Sequence, residues 1–161
     1  MAGSAHAQQL ADRFNQLNNT VIAFVESLSD QQWGMPCGDD RRPIGLVAHH
    51  IATAYGASTG WVATMASGQP LPPLTIADID AWNAQHAEAN AAVGKADTLA
   101  LLRRNGGEAV AVVGNMSDEE LARSGTVALL DGARVTTAQL IEGLLLGHPR
   151  GHLQAMRAAL S

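Results

Sequence analysis

Thiols are nearly absent from this chain of 161 residues: Cys37 is its single cysteine. One cysteine excludes an intrachain disulfide framework, a CxxC redox pair and any cysteine-based zinc cluster. Lysine is equally scarce, with Lys95 alone beside nine arginines, and the formal net charge is -5. That balance gives no footprint for a phosphate backbone, and the basic pairs Arg41-Arg42 and Arg103-Arg104 are too small to reverse it, so nucleic acid is excluded as a partner. No stretch reaches the eighteen or so uninterrupted apolar residues of a membrane span, and "MAGSAHAQQL" lacks the charged start and apolar run of a secretory signal. The expectation is a cytoplasmic protein with no membrane partner. Aromatic residues make up 4% and charged residues 16%, against 47% apolar. At this length that composition supports one compact domain over residues 1–161 with a substantial core.

The apolar residues are spaced for helices. Leu10, Phe14, Leu17, Val21, Phe24 and Leu28 recur at intervals of four and three, which predicts a long amphipathic helix from Ser4 to Leu28. Ser29 and Gln32 in "LSDQQW" stand in capping-box relation and predict a short helical turn before the loop "GMPCGDDRRP". Pro43 suits the first turn of a second helix to about Ser67, lined by Ile44, Val47, Ile51, Tyr55, Ser58, Val62 and Met65 and stopped by "GQPLPPL". Thr75 can cap a third helix with Ile79, Trp82, His86 and Val93 on one side; Asp97 or Thr98 can start a fourth, to about Met116. Ser117 with Glu120 predicts a brief helix, "TVALLDGARV" a β-hairpin around Asp131-Gly132, and Thr136 with Gln139 the cap of a final helix to about Leu160. The fold class is therefore all-α, an antiparallel four-helix bundle with an additional short helix and a small β-hairpin before the last helix.

Two histidines break the pattern of that final helix. In "GLLLGHPRGHLQAM", His148 and His152 lie about 40° apart on a helical wheel, near the centre of the stripe formed by Ile141, Leu144, Leu145, Ala155 and Ala159. An inward imidazole left without a partner costs roughly 1–3 kcal/mol, and a shared metal ion relieves two at once. In "VAHHIA", His50 lies roughly 80° from the centre of the second helix's stripe and is the better third ligand. His49 lies roughly opposite the core and reads as a supporting or surface residue. Pro149 occupies the place of the glutamate in HExxH, so the pair is not a zinc-protease motif. The proline ring conflicts with the carbonyl of Leu145 and predicts a kink or bulge just before the second histidine.

The remaining candidates are weaker. His86 could line the same cavity or add a fourth ligand, but a core histidine bonded to a backbone carbonyl is the commoner arrangement. Trp33, Trp61 and Trp82 read as core or pocket-wall aromatics, and Tyr55 and Trp82 join His49 and His86 as candidates for the pocket or for support of the ligands. Cys37 lies in a polar loop without an identifiable base.

The "LSDQQW" segment, "PIGLVAHHIA" in the second helix and "LIEGLLLGHPRGHLQAMR" in the last together resemble the DinB-like superfamily over nearly the whole chain. That superfamily includes thiol-dependent S-transferases and the metal domain of mycothiol-dependent maleylpyruvate isomerases. The resemblance implies a four-helix bundle with a long crossover, a divalent metal held by His50, His148 and His152, and frequent homodimers. It also implies transfer or isomerisation of a small-molecule substrate through a low-molecular-weight thiol such as mycothiol. Zinc suits three imidazoles best, with nickel, iron or copper as alternatives, and the open fourth position would hold water or a thiolate. A non-catalytic metal-binding or stress-related dimerisation module on the same bundle is the competing expectation. The chain departs from the commoner family pattern at Arg42, where a tryptophan is usual, and at Pro149.

Overall fold

A computed structural model gives the coordinates of the chain and describes residues 2–161. Helix α1 (Ala5–Ser27) starts where the Ser4 hydroxyl accepts a hydrogen bond from the Ala7 amide, and it buries Leu10, Phe14, Val21 and Val25. The short α2 (Asp30–Trp33) opens with the capping box of Ser29 and Gln32. The segment read as a loop then contains two short antiparallel strands, β1 (Pro36–Cys37) and β2 (Arg42–Pro43), with Cys37 opposite Arg42. Gly38 and Arg41 take positive φ of 69° and 58°, which closes this tight connection. Cys37 is consequently buried, at 3% exposure, and not in the polar loop its neighbours suggest.

Helix α3 (Ile44–Ala66) follows directly, and fourteen of its residues are buried, as expected of a helix apolar on most of its circumference. Gly45 has to be glycine there: an added Cβ would stand 2.2 Å from Cε2 of Trp33, whose indole N–H donates to the Val93 carbonyl. The chain then makes a long crossover through α4 (Ile76–Ala89), opened by a Thr75–Asp78 capping box. No residue of α4 is buried; it lies outside the bundle, and it ends before Val93.

Helix α5 (Lys95–Gly114) packs on both α1 and α3. Its contact with α1 is close enough that a Cβ on Gly106 would approach Asn18 Nδ2 to 2.1 Å, while Asn18 donates to the Leu102 carbonyl at 3.1 Å. After α6 (Asp118–Ala122), strands β3 (Ser124–Val127) and β4 (Ala133–Thr136) form the expected hairpin. Its connection is longer than a two-residue turn, since Ala128–Leu130 form a 3-10 turn before Asp131 and Gly132 adopt positive φ.

The final helix is continuous but changes width: α7 (Thr137–Ile141), a π-helical turn (Glu142–Gly147), then α8 (His148–Ala159). The wide turn is the distortion demanded by Pro149, displaced from its expected place. It precedes both histidines, because the proline ring crowds the turn N-terminal to itself, and the His148 amide bonds five residues back to Gly143. This helix packs on α3 and its wide turn reaches α1, so α1, α5, α3 and the last helix close a four-helix bundle with α1 and α3 across the diagonal. Among the described residues, no helix is long and apolar enough to cross a membrane.

Candidate metal centre

His148 and His152 keep the regular i, i+4 relation because both follow the π turn and belong to α8. His50 approaches from the second turn of α3. The His148 Nε2 atom lies 3.2 Å from His50 Nε2 and 3.1 Å from His152 Nε2, and one nitrogen from each ring falls within 4.8 Å of the others. The three residues chosen from helical geometry thus converge.

A ring nitrogen offers a single in-plane N–H or lone pair, so His148 Nε2 can satisfy only one of its two close neighbours by hydrogen bonding. Three lone pairs aimed at one point satisfy all of them with a cation. Ligands held at about 2.0–2.1 Å around a tetrahedral zinc ion stand roughly 3.3 Å apart, close to the two separations from His148. The residues therefore fit a divalent ion.

Their environment keeps them neutral. Burial, reinforced by His148, His152, Arg42 and His86, pushes His50 down to about 3. Burial again, with His148 and Arg42, pushes His152 down to about 4, and burial with Arg42 lowers His148. Neutral imidazole is the form that binds metal, so protons compete weakly at this site.

Of the other two histidines, His86 lines the cavity beside His50 and His148, one of the readings open for it, whereas His49 is not on the surface. His49 is buried at 9% exposure, because α4 crosses the flank of α3 that the bundle leaves open. Its Nδ1 lies 2.7 Å from His86 Nε2, and the two rings stack. His86 is bonded to this partner and not to a backbone carbonyl; its Nδ1 is buried without a hydrogen-bond partner among the described residues. The His86 ring stands edge-on to His50 with centroids 5.7 Å apart. Burial lowers both His49 and His86.

Two cavities with no lining residue in common border the cluster. One, of about 320 Å3, takes in His50, His86 and His148 with Trp61, Trp82 and Leu144. Trp61 and Trp82 stack in its wall at 6.2 Å, as α4 lies over α3. The other, of about 390 Å3, has charged residues in its wall and includes His152, Cys37, Asp39, Asp40 and Arg42. Arg42 Nε pairs with Asp40 at 2.5 Å, and its Nη1 is buried without a hydrogen-bond partner among the described residues. Burial and Asp40 raise the Cys37 thiol, which disfavours the thiolate.

Trp82 accordingly reaches the pocket, whereas Tyr55 does not. Tyr55 is 1% exposed in the core, edge-on to Phe14 at 4.9 Å, with its hydroxyl unpartnered among the described residues. Leu129 and Leu144 line the apolar cavity and were not singled out in the sequence; Leu144 stood on the apolar stripe of the last helix, but nothing in the hairpin's composition marked Leu129.

A family model described as the DinB superfamily matches residues 7–156. Among solved structures the chain is similar to YfiT from Bacillus subtilis, described as "a probable metal-dependent hydrolase with an unusual four-helix bundle topology". The two align with a TM-score of 0.77 at 18% identity, over 95% of this chain and 85% of that one. No curated protein matches the sequence.

Proposed function

The chain belongs to the DinB superfamily, and from that premise we propose that it is a divalent-metal-dependent enzyme that joins a low-molecular-weight thiol, such as mycothiol, to a small electrophilic acceptor. His50, His148 and His152 would hold the ion, with zinc the best match to three neutral imidazoles. When bound, the ion supplies Lewis acidity and favours the deprotonated form of a coordinating thiol. The observation that carries the reading is the pair of separate cavities at one histidine cluster, one strongly apolar and one with charged residues in its wall. A purely structural metal site needs neither.

In this reading the acceptor occupies the side walled by Trp61 and Trp82, which presents it to His50 and His148. The thiol cosubstrate occupies the side of His152, in the cavity lined by Asp39, Asp40 and Arg42. Cys37, buried and held as a thiol, is not the nucleophile. The superfamily's tendency to pair leads us to include a homodimer in the proposal.

Tag-free protein loaded with zinc is expected to retain about one ion per chain and His148→Ala to retain almost none, read by elemental analysis. A panel of thiols and electrophiles, followed by thiol loss, tests the reaction. Acceptor consumption at the same rate without thiol makes water the nucleophile and removes the thiol from the proposal. Equal, negligible metal in both proteins removes the centre itself.

A further inference from the structure

A second apolar cleft of about 260 Å3 lies between the segment after α3, the β3–β4 hairpin turn and the π turn of the last helix. It shares Trp61, Leu129 and Leu144 with the cavity that contains His50 and His148, so the two chambers meet at these side chains. Gln139 brings the only polar side chain to its wall, and the Gln139 carboxamide oxygen is already occupied by the Thr136 amide. Leu130 leaves 52% of its surface open at the rim of this cleft, and Trp82 leaves 48% open at the rim of the first chamber. Open apolar surface gathered in a concavity marks a binding site for an apolar ligand.

From this geometry we propose that the acceptor carries an elongated apolar group, alkyl or acyl, that runs from the histidine centre past Trp61 into the distal cleft. The inference rests on the metal-centre reading above for the position of the reacting end. It commits to a small molecule because the cleft is concave and shares three wall residues with the histidine chamber, whereas a second protein chain docks on broad, flatter surfaces. The cleft has no charged group with which to read a polar tail, so recognition there is by length and shape. Discrimination per methylene is correspondingly graded.

The test uses two homologous series, alkyl hydroxamates and primary alkanols from butyl to dodecyl, titrated calorimetrically into zinc-loaded and chelator-stripped full-length protein. Affinity in both series is expected to rise roughly two- to fourfold per methylene beyond the length that fills the first chamber. Gly143 lines only the distal cleft, and an added Cβ there meets nothing within 4 Å, so a side chain can start at this position, and Gly143→Leu is the variant chosen to narrow the cleft. That variant is expected to bind short ligands as wild type does and to lose the gain for long ones. Leu130→Gln, at the half-open rim, is expected to weaken long ligands selectively and gives a second reading should Gly143→Leu fold poorly. A flat length series in wild type, an unchanged rise in both variants, or a concentration-dependent dimer that Leu130→Gln abolishes while no long ligand binds would overturn the proposal. Failure of the metal centre shows separately: hydroxamates would then bind no better than alkanols, with the length dependence intact.

Discussion

Acid should destabilise the metal-free protein well before its carboxylates titrate. His50 and His152 stay neutral in the fold down to about 3 and about 4, chiefly because they are buried. In the unfolded chain each takes a proton near 6.5. Between those values the unfolded state binds more protons, so stability is complete above about pH 7 and falls as the pH drops. Each such histidine removes about 2 kcal/mol on going from pH 7 to pH 5, giving about 4 kcal/mol for the pair. His148, His49 and His86 are shifted in the same direction and add to the loss. Glu142, held low by its hydrogen bonds to Arg13, contributes only at lower pH. For a urea dependence of about 2 kcal/mol per molar, the midpoint should move down by about 2 M. Urea titrations of chelator-treated protein at pH 7, 6 and 5, followed by far-UV circular dichroism, measure this directly. A midpoint at pH 5 within about half a molar of that at pH 7 would refute the assignment of neutral, desolvated rings. So would an undiminished acid loss in the His50→Gln, His152→Gln double variant. Added zinc should hold the midpoint up until protons compete with it.

Two further perturbations follow from the packing. Tyr55→Phe removes a buried hydroxyl that has no partner among the described residues and keeps the edge contact with Phe14. It is expected to leave stability unchanged or to raise it by up to about 1 kcal/mol, and a loss above that in a thermal or urea melt would mean the hydroxyl is hydrogen-bonded. Gly106→Ala gains helix propensity but drives a methyl group to 2.1 Å from Asn18, in the closest part of the α1–α5 contact. The overpacking should win by about 1–2 kcal/mol, visible as a lower urea midpoint, and a stabilised variant would show that Asn18 can swing aside freely.

The parts of the fold and centre that were legible in the sequence are those governed by local rules. The capping pairs Ser29–Gln32, Ser117–Glu120 and Thr136–Gln139 all form the reciprocal bonds their spacing implies. His148 and His152 share one helix, so their alignment needed no tertiary knowledge, and the angular position of His50 on α3 sufficed to prefer it over its neighbour. The errors arose where a distant segment decides burial. His49 reads as a supporting or surface residue because the helical wheel sees only the bundle core, whereas α4, a helix with no buried residue of its own, covers it and supplies His86. Cys37 and Arg42 looked like loop residues because the register of β1 with β2 depends on two left-handed turn positions that composition does not reveal. The bulge imposed by Pro149 was foreseeable in kind; its placement upstream of both histidines followed from where the i−5 bond at His148 could form.

The centre draws one imidazole from the first third of the chain and two from its last helix, with His50 and His148 separated by 98 residues. During synthesis the early histidine therefore waits without its two partners until residues 148–152 have emerged. An ion that requires all three rings cannot steer the early collapse of the polypeptide; it can close only on a finished bundle. Its effect on lifetime then falls on the rate of escape from the native state, and a truncated or stalled chain lacking the final helix has nothing with which to sequester the ion.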